Sequence, residues 1–163
     1  MNSSLRGSFV LRVVFALTCL ASTATGQSGS TTHSLYVVNV SGSNISAYSI
    51  DGSTGALAGI AGSPFAAGFN ASEAAITPDG AYLYITNASG NSVSAYSIAA
   101  DGTLSAIAGS PFAAGSHPQM AAVSPDGAYL YVSTAHIYEA PPFNNGADKR
   151  TLPYGLFRLK IGP

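Results

Sequence analysis

Apolar and polar positions in the middle of the chain fall into short runs, each closed by glycine, proline, asparagine or aspartate. AAIT at 74–77 is small and apolar, PDG at 78–80 interrupts it, and YLYIT at 82–86 follows as an aromatic and β-branched run. Such runs favour strands. Pro-Asp-Gly favours a turn, because proline presets φ, aspartate bonds its own backbone and glycine takes positive φ. Ala88-Ser89-Gly90-Asn91 marks a second turn and Ser92 to Ile98 a third strand. Asp101-Gly102 then turns the chain into an outer strand from Leu104 to Ala108. The second strand is apolar on both faces, the pattern of a strand sandwiched between neighbouring layers. The chain therefore reads as all-β, with helix confined to residues 1–26.

The pattern then repeats. AGSPFAAGFNASEAAITPDGAYLY at 61–84 and AGSPFAAGSHPQMAAVSPDGAYLY at 108–131 agree at seventeen of 24 positions. Upstream, LYVVN at 35–39 corresponds to LYITN at 83–87, and NISAYSI at 44–50 to NSVSAYSI at 91–98. A period near 47 residues lies between the ~40–45 of WD40 and the ~50 of kelch repeats, and four short strands fill such a unit. The units run 34–80, 81–127 and 128–163, and they predict propeller blades of four-stranded antiparallel sheet. The first opens at Leu35 on its second strand, without an inner strand of its own. The third breaks after Ser133 into a long polar stretch. It resumes with GLFRLKI at 155–161, the spacing of a third strand beyond an enlarged loop. That makes about ten strands, or two and a half blades, where a ring needs typically four to eight. An incomplete propeller of this kind is expected to be a fragment, or to self-associate through its open blade faces.

These residues resemble a known group. LYVVN and LYITN, followed by SGSNISAYSI and SGNSVSAYSI, look like the YVTN-type bacterial β-propeller repeat. The combination of GSPFAAG, SPDGAYLYV and VSAYSI is similar to the β-propeller lactonase family, which includes the 6-phosphogluconolactonase-like proteins. The likeness covers residues 34–133 and, loosely, 155–161. It implies a propeller that hydrolyses a sugar lactone. In that family a second histidine often follows the proline of a His-Pro pair; here His117-Pro118 is followed by Gln119. The family also places arginines and a glutamate near its proposed lactone site. No arginine lies between residues 13 and 149, so those roles do not transfer to the repeats.

The N-terminus has a different character. Arg6 and Arg12 precede the apolar run Val13 to Ala21, and the small residues Ser22-Thr23-Ala24 follow. This is the layout of a secretory signal peptide, assigned to residues 1–26 with a linker at 27–33. The run is far below the ~20 residues needed to span a bilayer, so no membrane span is expected after cleavage. A secreted or periplasmic protein follows, and cleavage would remove Cys19, the single cysteine. Beyond the leader the chain carries only Lys149, Arg150, Arg158 and Lys160 against seven acids. With no basic stripe to follow a phosphate backbone, nucleic acid is excluded as a partner.

Little of this sequence is overtly chemical. His117 sits in the loop before an inner strand, where propeller loops approach the channel mouth, and it is the one catalytic candidate. Asp79 and Asp126 could serve as bases, but each occupies a Pro-Asp-Gly turn that wants aspartate for structure. Tyr82, Tyr84, Tyr129 and Tyr131 could form a sugar-stacking ladder or pack between blades. His136, Glu139 and Asp148 share one non-repeat loop and are the candidate metal ligands, although no metal-site spacing is present. No cofactor is expected. Asn39, Asn44, Asn70 and Asn87 head N-x-S sequons of the kind that serine-rich turns produce by chance. Two functional classes stand: a propeller hydrolysing a lactone, and a non-catalytic propeller binding a ligand, carbohydrate or protein through its loops. An inactive truncated product is the third reading.

Overall fold

The computed structural model describes residues 15–18, 33–134, 150–152 and 155–161, and these form strands and turns with no helix among them. The first sheet takes its strands in the order β1 (Phe15–Thr18), β2 (His33–Asn39), β3 (Asn44–Ile50) and β4 (Leu57–Gly59), with β5 (Phe65–Ala66) also paired to β3. The second sheet repeats it with β6 (Ala71–Ile76), β7 (Tyr82–Asn87), β8 (Ser92–Ile98) and β9 (Leu104–Ala106), and β10 (Phe112–Ala113) again pairs the third strand. The third sheet contains β11 (Pro118–Val123), β12 (Tyr129–Thr134), β13 (Arg150–Leu152) and β14 (Leu156–Lys160). All neighbouring strands run antiparallel. These are three adjacent propeller blades.

The repeated sequence makes the same local devices twice. In the Pro-Asp-Gly turns, Gly80 and Gly127 sit at φ 71° and 70°, which an L side chain reaches only at a cost. The hydroxyls of Ser63 and Ser110 accept from the amides of Ala47 and Ala95 at 2.8 and 2.9 Å, pinning the return loop onto the third strand of each blade. Both serines precede a cis proline.

Two apolar seams join the blades. Tyr36, Val38, Ile45 and Ala47 of the first blade, all at 0% exposure, pack with Leu83, Ile85, Ala74 and Tyr96 of the second. Tyr84, Val93 and Ala95 on the second blade's other face pack with Leu130 and Val132 of the third. Each fully buried Leu, Ile or Val contributes roughly 1.5–3 kcal/mol, so the seams rather than the strand ladders decide how blades stack. Tyr36 donates its hydroxyl to the carbonyl of Gly102 at 2.7 Å, and Tyr96 donates to that of Ala66 at 2.5 Å, stitching the first seam. Burial raises the pKa of both phenols and pushes that of Tyr84 up to about 12.

The structure corrects the sequence expectation in three places. The first blade has an inner strand after all, because β1 pairs along β2. The third blade has its outer position filled by β13, which precedes its neighbour β14 in sequence where β4 and β9 follow theirs. Finally, Tyr36, Val38 and Tyr48, expected together on the open face of the first blade, divide between its two faces. Strand alternation instead turns Tyr36 and Val38 into the seam and leaves Leu35, Val37 and Tyr48 half-buried on the open side.

Candidate functional site

The inner strands β6 and β11 lie side by side, and the loops that feed them gather at one end of the blades. The loop into β6 is built on Asn87. Gly68 donates its amide to Oδ1 of Asn87 at 3.0 Å, and Nδ2 of Asn87 donates to the hydroxyls of Ser92 and Ser94 at 3.0 and 2.9 Å. A Cβ on Gly68 would lie 2.3 Å from Cγ of Asn87, so only glycine fits against it. Asn39 has the same role in the preceding blade, donating to Asn44 and Ser46 at 2.7 and 2.8 Å. The sequon asparagines at 39, 70 and 87 thus have side-chain amides committed to structure, that of Asn70 to Ser89 at 3.1 Å.

His117 occupies a position the framework repeats. It and Asn70 both hold the left-handed conformation, at φ 49° and 58°. The amide of Asn70 donates to the hydroxyl of Ser43 at 3.3 Å, and the amide of His117 donates to Oδ1 of Asn91 at 2.9 Å. The backbone of His117 is therefore structural, while its imidazole is exposed with Nδ1 3.2 Å from the Ser116 hydroxyl. Among the described residues no carboxylate or second histidine is hydrogen-bonded to that ring, so the arrangement lacks the oriented base of a nucleophilic triad.

Beside it lie residues that the sequence does not single out. The ladder slips between Ala71 and Ala74 in β6, and between Pro118 and Ala121 in β11. A bulge re-aims the side chains it contains. These two bulges hold Ser72-Glu73 and Gln119-Met120, which are among the few positions where the 24-residue repeats differ. The Thr86 hydroxyl accepts from the amide of Glu73 at 3.0 Å and donates to the carbonyl of Gln119 at 3.1 Å. One side chain thereby ties the two bulges across the seam. Phe69 and Met120 are 72% and 65% exposed at this end. Gln119, His117, Phe69 and Met120 are exposed and Glu73 is half-buried, so the loops and bulges at this end offer a mixed polar and apolar rim. The signal for it in the sequence is divergence within an otherwise constant repeat.

The two turn aspartates lie at the other end of these six-residue strands, about 20 Å away by strand rise. Asp79 accepts from the amide of Ala81 at 3.0 Å, and Asp126 from that of Ala128 at 3.0 Å and from the Ser124 hydroxyl. The hydroxyls of Thr77 and Ser124, then those amides, hold both carboxyls below the usual range. Both turns line a cleft of about 380 Å³ with Tyr82 and Ile161. The tyrosines do not form one ladder: Tyr84 is buried in the seam and Tyr82 is 39% exposed at the cleft. Among the described residues no three His, Cys, Asp or Glu side chains come together as a metal site. His136, Glu139 and Asp148 lie outside the described residues.

Residues 30–143 match the family described as lactonase, 7-bladed beta-propeller. The chain belongs to that family. A candidate 6-phosphogluconolactonase from Bacteroides uniformis superposes with a TM-score of 0.56 at 19% identity, over 82% of this chain and 40% of that one. A second candidate 6-phosphogluconolactonase, from Bacteroides fragilis, gives 0.55 at 22% identity over 78% and 36%. A Lactobacillus plantarum protein gives 0.54 at 20% identity over 85% and 43%. This lactonase-family chain thus spans less than half the length of each of these structures. At such identities the likeness is one of fold. No curated protein matches the chain.

Proposed function

We propose that this chain forms one wall of a ligand-binding mouth in an exported lactonase-family propeller, and that the ligand is a small uncharged lactone or carbohydrate. The observation that supports it is the pair of bulges, where a constant scaffold carries Glu73, Gln119 and Met120 beside Phe69 and His117. A polyhydroxylated ring needs acceptors and donors for its hydroxyls and an apolar surface for its face, and this rim has both. In a lactonase the Glu73 carboxylate would take a proton from water as its oxygen adds to the ring carbonyl. The ring C–O bond then breaks and the alkoxide recovers a proton, leaving the hydroxy acid. Export rests on the leader pattern of Arg6, Arg12 and the apolar run after them.

Saturation-transfer NMR of glucono-δ-lactone and glucose with the chain tests the reading. Binding is expected to weaken by roughly tenfold or more in Glu73→Gln. Equal signals from wild type and variant would overturn it.

One observation favours the non-catalytic alternative for the chain by itself. No lysine or arginine lies between residues 13 and 148, so nothing cationic is present on these loops to hold a phosphorylated substrate. The chain is therefore expected not to hydrolyse 6-phosphogluconolactone. Saturable turnover that disappears in His117→Ala would refute this and restore His117 as a catalytic residue.

A further inference from the structure

The strand β1 falls within the segment that reads as a secretion leader, yet its register on β2 is that of the repeat. Leu17 pairs with Leu35 as Ile76 pairs with Leu83 and Val123 with Leu130. Ala16 pairs with Tyr36 as Ala75 does with Tyr84 and Ala122 with Tyr131. Thr18 then stands where Thr77 and Ser124 stand, each of which donates its amide to the first residue of the next strand, Tyr82 or Tyr129. In register, the three inner strands read Ala-Leu-Thr, Ala-Ile-Thr and Ala-Val-Ser. The strand also packs beside β6 as β11 does on its other side. A linear period hides the match, because fourteen residues, 19–32, separate β1 from β2 where a short turn suffices in the other blades.

We propose that the inner edge of β2 is a strand-binding site for an extended segment of the pattern Ala-aliphatic-Thr/Ser, filled in the intact chain by its own Ala16-Leu17-Thr18 and opened when the leader is removed. Three things carry this: the shared register, the shared residue pattern and the shared place beside β6. The pattern has a physical reason. The alanine position is the register partner of a tyrosine in all three blades, and cross-strand partners constrain each other's size. Leader removal would leave a row of backbone donors and acceptors on β2 without a ladder. Such an edge accepts an added strand through main-chain hydrogen bonds, with side-chain fit giving selectivity. The segment would then have two successive roles, targeting while extended and completing a blade when retained.

Hydrogen exchange on the full 163-residue chain tests the site. In an antiparallel strand alternate residues point their backbone groups to one side, so replacing both Ala16 and Leu17 by proline removes at least one ladder donor. In that double variant the amides of residues 34–37 that face β1 are expected to lose protection roughly tenfold or more, while those of residues 82–87 keep theirs. Leu17→Val with Thr18→Ser, which copies the third blade, is expected to keep full protection. Equal exchange in the double-proline variant and wild type overturns the proposal. Should that variant fail to fold, Thr18→Cys with Ser34→Cys in a Cys19→Ser background gives the second reading, because Thr18 and Ser34 are register partners. Oxidation is expected to link this pair and not Thr18→Cys with Ser53→Cys; equal yields overturn the proposal.

Discussion

Asn87 satisfies three polar groups at once, and it does so at 0% exposure. Truncating it to alanine leaves the Gly68 amide and two serine hydroxyls to find other partners in a closed site. Asn87→Ala is expected to cost about 2–3 kcal/mol in urea unfolding. A loss within error of zero would mean that water replaces the amide freely. Gly68→Ala attacks the same contact from the other side, since its Cβ would overlap Asn87, and is expected to cost about 1–3 kcal/mol. The titrating groups act at the two extremes of pH. The carboxyls of Asp51, Asp79, Asp101 and Asp126 all lie below their usual range, held by hydroxyl and amide donors of their own turns. A depressed folded pKa gives stability that is present above the unfolded value, near 3.9, and is lost as pH falls below it. Burial raises the Tyr84 phenol to about 12. Its contribution is full below the unfolded value, near 10, and disappears as pH climbs from there toward the folded one. Thermal melting is expected to hold steady through neutral pH, to fall below about pH 4 and to fall again above about pH 10. Burial raises the Tyr36 and Tyr96 phenols too, so Tyr84→Phe should lessen the alkaline fall without abolishing it and leave the acid limb in place.

At the scale of strands and turns, most of the second blade is legible in the sequence. Pro-Asp-Gly, Asp-Gly and the apolar runs between them specify hairpins through local chemistry alone, and the strands fall where those signals put them. The Ser-Pro loops are harder to read, because the role of Ser63 and Ser110 depends on an amide sixteen and fifteen residues away. Removing one hydroxyl exposes that dependence: Ser110→Ala is expected to cost about 1 kcal/mol, and exchange at Ala95 should quicken. No change at Ala95 would show that another group takes its place. The site is legible only in part. His117 draws notice as a lone histidine, but its position is a backbone device shared with Asn70. Glu73 escapes notice because a single carboxylate on a strand carries no motif. Only the ladder slip, which is a property of pairing, shows where its strand bulges. The same limit hides β13, since an outer strand that precedes its neighbour in sequence breaks the order the repeats teach.

Across the whole molecule, the two end faces are not alike, and the difference bears on assembly. Leu83, Ile85 and Tyr96 are buried against the first blade, whereas their counterparts Leu35, Val37 and Tyr48 are only half-buried on that blade's open side. Among the described residues nothing packs on this apolar face, of the kind monomers seldom leave uncovered. On the third blade the register partner of Tyr131 is Arg158, where the partners of Tyr36 and Tyr84 are Ala47 and Ala95, both at 0% exposure. The Arg158 guanidinium lies 4.8 Å from the centroid of the Tyr129 ring, a cation–π contact that holds a bulky charge over the sheet. A blade docking there as the second docks on the first would have to displace it. Head-to-tail growth is thus opposed at one end, while the first blade's face meets no such obstacle in a second copy. We expect the chain to pair through the first blade, giving a dimer with the Arg158 faces outward. Light scattering at micromolar concentration should read twice the chain mass, and Val37→Glu or Tyr48→Arg should return it to one. Arg158→Ala should instead push the mass above two, because it restores the small residue that lets blades stack. A wild-type monomer at these concentrations, or an Arg158→Ala chain that stays at the wild-type mass, would show that the open faces are satisfied by some other packing.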